Sequence, residues 1–117
     1  MIEPWPGSGL CATWVNRLFT RIGNAPQGYL PYASSYMKWC PARLDASRLK
    51  VGMIVVVPST VTAPGIGHIG VYMGDGIIRS SESGGVINRS VAEWTAAFCK
   101  IAPAYMGWIN NRDLSAQ

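Results

Sequence analysis

The stretch Gly67-His-Ile-Gly-Val-Tyr-Met-Gly-Asp-Gly-Ile-Ile-Arg-Ser-Ser81 decides the architecture. Two β-branched and aromatic runs, His68 to Met73 and Ile77 to Ser81, flank Gly74-Asp75-Gly76. Such runs around a tight glycine turn predict a β-hairpin. The preceding loop, Thr60 to Gly67, carries Pro64 and two glycines and delivers the chain to His68, which therefore opens the first strand. Upstream, Leu49-Lys-Val-Gly52 reads as a turn that launches Met53-Ile-Val-Val-Val57, a block suited to a strand buried on both faces.

Before the hairpin the period changes. From Cys11 to Ile22 the apolar positions Val15, Leu18, Phe19 and Ile22 fall at i, i+3, i+4 and i+7, which predicts a helix. Ser8 is the expected cap and Gly23 the stop. A short helix is expected from Ala33 to Trp39, ended by Pro41. After the hairpin, a third strand is expected around Val86 to Asn88. Ser90-Val-Ala-Glu93 then has the spacing of a capping box for a helix reaching Phe98. A last strand is expected within Tyr105 to Ile109, with Asn110 to Gln117 fraying. One helix followed by a mainly antiparallel sheet is an α+β arrangement, and 117 residues suit a single domain over 1–117.

Composition narrows the function classes. A chain that is 49% hydrophobic and 14% charged is too apolar for disorder. The net charge of +4 comes from scattered basic residues without a run, which argues against nucleic acid and suits an anionic polymer such as a cell wall. No segment approaches the apolar length of a membrane span. Met1-Ile-Glu-Pro-Trp-Pro6 has neither the basic nor the apolar part of a secretory signal, so delivery by other machinery is expected. Cys11, Cys40 and Cys99 lack zinc-ribbon spacing and one histidine cannot complete a Cys2His2 site, so neither metal nor cofactor is expected. Cys40 and Cys99 read as free thiols, with a disulfide between them as the alternative.

Cys11 stands at a helix amino terminus, where unpaired N–H groups can stabilise a thiolate or hold an oxyanion. His68, the only histidine, is the only candidate base. A third group is expected on the returning strand to orient the ring. Ser80 and Glu82 share one face of it by the two-residue period, and Glu82 is favoured over Ser80. Against this, a cysteine in an amphipathic helix is commonly a small buried hydrophobe and a lone histidine is commonly structural. The aromatic residues Trp5, Trp14, Tyr36 and Trp108 read as core before they read as a cleft.

Taken together, Gly9-Leu-Cys-Ala-Thr-Trp-Val15, Leu49-Lys-Val-Gly-Met-Ile-Val-Val-Val57 and Gly67-His-Ile-Gly-Val-Tyr-Met-Gly-Asp-Gly76 resemble the nucleophile helix, the "LxPGDxVxF" strand and the histidine hairpin of the NlpC/P60 and CHAP groups of papain-like cell-wall hydrolases. The likeness runs from about Gly9 to Ile109, with Gly107-Trp108 resembling the closing strand. It implies a papain-like fold and a cysteine peptidase or amidase that cleaves amide or peptide bonds in bacterial peptidoglycan through an acyl-enzyme. Cys11 would attack, and His68 would carry the proton. The implied partner is a peptidoglycan stem peptide or cross-link, met by a monomer at the wall or in the periplasm. The implied setting is a phage lysin or a delivered antibacterial effector, the latter with an immunity protein. Met53 stands where the family carries an acidic residue, and Ser80-Ser-Glu82 is closer to CHAP than to the second histidine of many NlpC/P60 proteins. That departure keeps open a catalytically silent wall-binding or assembly module of the same fold.

Overall fold

The computed structural model describes residues 2–116. Helix α1 spans Cys11–Arg21 and a 3-10 helix Ala33–Trp39. Strand β1 covers Ala42–Arg43, β2 Ile54–Val57, β3 His68–Gly74, β4 Ile77–Glu82 and β5 Gly85–Ser90. Helix α2 runs over Val91–Phe98, and β6 over Tyr105–Gly107. The six strands form one antiparallel sheet in the order β1-β6-β2-β3-β4-β5. The α+β arrangement is therefore present, with the expected central strand, hairpin and capping box in place.

Sheet alternation divides the interior into two layers. Ile54 and Val56 of β2 and Ile69 and Val71 of β3 pack against Trp14, Val15, Leu18 and Phe19 of α1. Val55 and Val57 point the other way, to Ile78 and Trp94 of α2. All four β2 residues are fully buried because both faces are covered. The antiparallel neighbours show that a continuous apolar run reports two covered faces whatever the strand direction.

The β3–β4 turn is the two residues Asp75-Gly76, both at positive φ (53° and 75°), the requirement of a type I′ hairpin. Gly67, at φ 79°, lies so close to the Val57 carbonyl that a side chain would collide with it. That tightness swings the loop into β3 and fixes where His68 begins. Ser90 caps α2 by accepting from the Glu93 N–H at 3.0 Å, while the Glu93 carboxylate accepts from the Ser90 N–H at 2.8 Å.

Several expectations need correction. Leu10, not Ser8, is the N-cap of α1, and no side chain caps it, so the first-turn N–H groups beside Cys11 are left without a capping acceptor. The helix stops at Arg21 and Ile22 is its C-cap. The third strand is longer than Val86 to Asn88, because it pairs along the whole of β4 from Ile77 opposite Ser90 to Glu82 opposite Gly85. The last strand ends at Gly107, and Ile109 begins a 3-10 turn. Instead of fraying, the tail docks: Asn110 bonds Asn24 and Ala25, and Leu114 packs on the α1-side core. Gln117 lies outside the described residues. All three cysteines are free. Cys40 belongs to the α1 layer and Cys99 to the α2 layer, so the sheet separates them. Among the described residues no helix is long and apolar enough to cross a membrane.

Candidate active site

A cleft of about 690 Å³ opens where the start of α1 meets the start of β3 and the end of β4. Cys11, His68, Ser81, Glu82, Arg89 and Phe98 all contribute to its lining. The structure thus brings Cys11 and His68 to one cleft, but from different sides. Cys11 packs with the α1 layer. The imidazole lies in the α2 layer, stacked on Phe98 with ring centroids 3.9 Å apart and tilted against Trp94 at 5.8 Å. The hydrogen bonds of the described residues do not join Sγ to the ring.

The imidazole is instead held by a relay. His68 Nε2 lies 3.0 Å from Ser80 Oγ, which lies 3.3 Å from Glu82 Oε2 and receives the Trp94 indole N–H at 3.3 Å. Arg89 grips both Glu82 oxygens, each at 2.8 Å. Of the two candidates for the third group, Ser80 is therefore the one that touches the ring, and Glu82 acts on it through Ser80. The two-residue period placed both on the correct face; it could not rank them, because which of them reaches the ring depends on depth. Ser80 is fully buried between His68 and Trp94, whereas Glu82 keeps 11% of its side chain exposed and lies one step further out against Arg89.

The donor inventory assigns the protons along this chain. Indole is a donor only and a carboxylate an acceptor only. Ser80 Oγ therefore gives its one hydrogen to Glu82 and uses one lone pair for Trp94. The remaining lone pair takes a hydrogen from His68 Nε2. The neutral ring then carries its proton on Nε2 and has a bare Nδ1, which is the form a base requires.

Burial pulls the His68 pKa down to about 4, with the Glu82 charge pushing up and the Arg89 charge pushing down. The ring is neutral at pH 7. The Cys11 thiol is raised, chiefly by burial, against the backbone N–H groups of Ile69, Ala12 and Cys11 itself, which favour the thiolate. The expectation of a lowered thiol pKa at the helix start is thus overturned, because desolvation outweighs the unpaired N–H groups. At rest the site holds a thiol and a neutral imidazole, not an ion pair.

Three neighbours escaped the sequence reading. Trp94 and Phe98 are an i, i+4 pair on α2, and that spacing was the available signal for a shared face. Arg89 sits opposite Ile78 on β5, and nothing in its sequence context marks it. Of the four aromatics, Trp14 and Tyr36 are core. Trp5 is 44% exposed and donates to the Glu82 carbonyl at 2.8 Å, pinning the amino-terminal segment beside the cleft. Among the described residues no three of His, Cys, Asp and Glu cluster as metal ligands. Comparison with protein-family models gives no match, and comparison with curated proteins gives none either.

Proposed function

We propose that this chain is a papain-like cysteine hydrolase that cleaves amide or peptide bonds in bacterial peptidoglycan. The observation that carries the reading is the relay, which leaves His68 Nδ1 unprotonated in the cleft that also holds the Cys11 sulfur at an uncapped helix start. Because both groups are neutral at rest, attack and proton transfer are coupled. As Sγ adds to the scissile carbonyl, the thiol proton passes to Nδ1, and the N–H groups of the first turn of α1 receive the oxyanion. The imidazolium then protonates the leaving amine, and a water deprotonated by the same ring releases the acyl group. Ser80 and Glu82 hold the ring and stabilise its charge while it lasts. Catalytic hydrogen bonds commonly tighten only once substrate is bound, and this mechanism requires Sγ and Nδ1 to meet at that point. The substrate class rests on the NlpC/P60 and CHAP resemblance and on the net charge of +4, which suits an anionic wall polymer. On this reading the protein reaches the wall by release or delivery, as a phage lysin or an antibacterial effector.

One observation favours a second reading, a catalytically silent wall-binding or assembly module: the Cys11 thiol is raised and forms no bond to His68. Digestion of purified sacculi, with mass spectrometry of the products, separates the two. A hydrolase releases fragments with a defined new terminus. Cys11→Ala and His68→Ala then lose activity equally, by on the order of 10³-fold or more, because the pair works as a unit. Undiminished digestion by Cys11→Ala removes the cysteine mechanism, and binding without products establishes the silent module.

A further inference from the structure

The relay uses His68, Ser80, Glu82 and Arg89, and among the described residues one buried side-chain polar atom at the cleft has no partner. Ser81 is only 3% exposed, yet its Oγ has no hydrogen-bond partner among the described residues. It lines the same cleft as Cys11 and His68. A buried hydroxyl without a partner costs free energy in the unliganded protein, and native structures rarely keep one without a reason.

Position says what the hydroxyl faces. Ser81 pairs with Val86, which packs on the α1-side core. Extending the β3–β4 register, in which Val71 lies opposite Arg79, sets Ser81 opposite Ile69. The Ile69 N–H approaches the Cys11 sulfur. Ser81 therefore stands on the nucleophile's side of the sheet, while the imidazole stands on the other. The leaving amine must lie near the imidazole that protonates it, so the acyl portion of the substrate is left to the Cys11 and Ser81 side. Both charged residues of the relay are already paired with each other, and a neutral hydroxyl that can donate once and accept twice matches an amide better than an ion.

We infer that Ser81 is a specificity-determining residue, whose hydroxyl hydrogen-bonds an amide of the stem peptide on the acyl side of the scissile bond. This rests on the hydrolase reading above for its orientation, but its test has a separate readout. Muropeptides released from sacculi by a muramidase are titrated calorimetrically into the Cys11→Ala chain and into Cys11→Ala with Ser81→Ala. The expected result is about tenfold weaker binding without the hydroxyl. Urea unfolding of Ser81→Ala is expected to show unchanged or higher stability, since no partner is lost on the protein side. Equal affinity for the two chains, or no muropeptide binding at all, overturns the inference. So does a destabilised Ser81→Ala, which would give the hydroxyl a structural partner. If wild type cuts no sacculi but binding still depends on Ser81, the hydrolase reading falls and the recognition role stands.

Discussion

The two faces of the sheet are built from different materials. On the α1 face, Trp14, Val15, Leu18 and Phe19 close on Ile54, Val56, Ile69 and Val71, all fully buried and all apolar apart from the indole N–H. On the α2 face, Val55, Val57, Ile78 and Trp94 share their layer with an imidazole and a hydroxyl that are also buried. The first face is stabilised by area removed from water, which no pH change in the ordinary range alters. The second depends on a hydrogen-bond chain that contains the titratable ring of His68. The α1 layer carries the Cys11 thiol and the Ser81 hydroxyl at its edge and keeps its middle apolar.

The largest effect is expected from breaking the apolar face. Trp14→Ala removes the most voluminous fully buried side chain of this face and its bond to the Glu3 carbonyl at 2.9 Å. It should cost about 3–5 kcal/mol. Urea unfolding at pH 7 and at pH 5 checks this, and the loss attributable to the substitution should be the same at both. A loss that changed greatly with pH would mean that the faces are not independent.

A smaller, pH-dependent effect belongs to the α2 face. The unfolded chain binds the His68 proton near 6.5, and the folded chain only near 4. Between those values the unfolded state holds more protons, so stability rises with pH, is complete above 6.5 and is lost as the pH falls to 4. The window corresponds to about 3 kcal/mol in order of magnitude. Asp45 and Glu93, held low by their bonds to Ser47 and Ser90, add a slope of the same sign at lower pH. The comparison with His68→Gln therefore isolates the ring: its stability should lack the decline between pH 6.5 and 5. On the proposed hydrolase reading, the same depression predicts that kcat/KM keeps its plateau well below pH 6.5, with its acid limb near 4.

The difference between the faces also explains what could be read from the chain. Val15, Leu18 and Phe19 announce their layer by period alone, although Ile22, the fourth position of that period, lies exposed at the helix end; β2 and the hairpin announce themselves by composition and by Gly74-Asp75-Gly76. Local signals of this kind also carried the Ser90 and Glu93 box. Strand β1 was invisible because two residues after Pro41 have no period, and its pairing with β6 is decided by contacts more than sixty positions apart. At the site, residue type selected Cys11, His68, Ser80 and Glu82. Geometry was needed to rank Ser80 above Glu82, to find Arg89 as the partner of Glu82, and to show that burial reverses the expected direction for the thiol.

The smallest and sharpest test reaches the relay through a single atom pair. Glu82→Gln keeps the shape of the side chain but removes the charge that Arg89 holds bidentately. Arg89 still needs an acceptor, so the amide is expected to give its oxygen to Arg89 and turn its NH2 toward Ser80. Ser80 Oγ would then receive from both Trp94 and the amide, with both lone pairs occupied. Its own hydrogen has to go to His68 Nε2, and the neutral ring moves its proton to Nδ1. The chain has one histidine, so ¹⁵N spectra of the imidazole report this ring without assignment. Wild type should show the Nε2–H tautomer at pH 7, and Glu82→Gln the Nδ1–H form, with kcat lowered about tenfold as the base is masked. An unchanged tautomer would mean that Ser80 takes its orientation from Trp94 alone. Glu82 would then belong with Arg89 as a separate, part-buried ion pair, and the polar layer of the α2 face would end at Ser80.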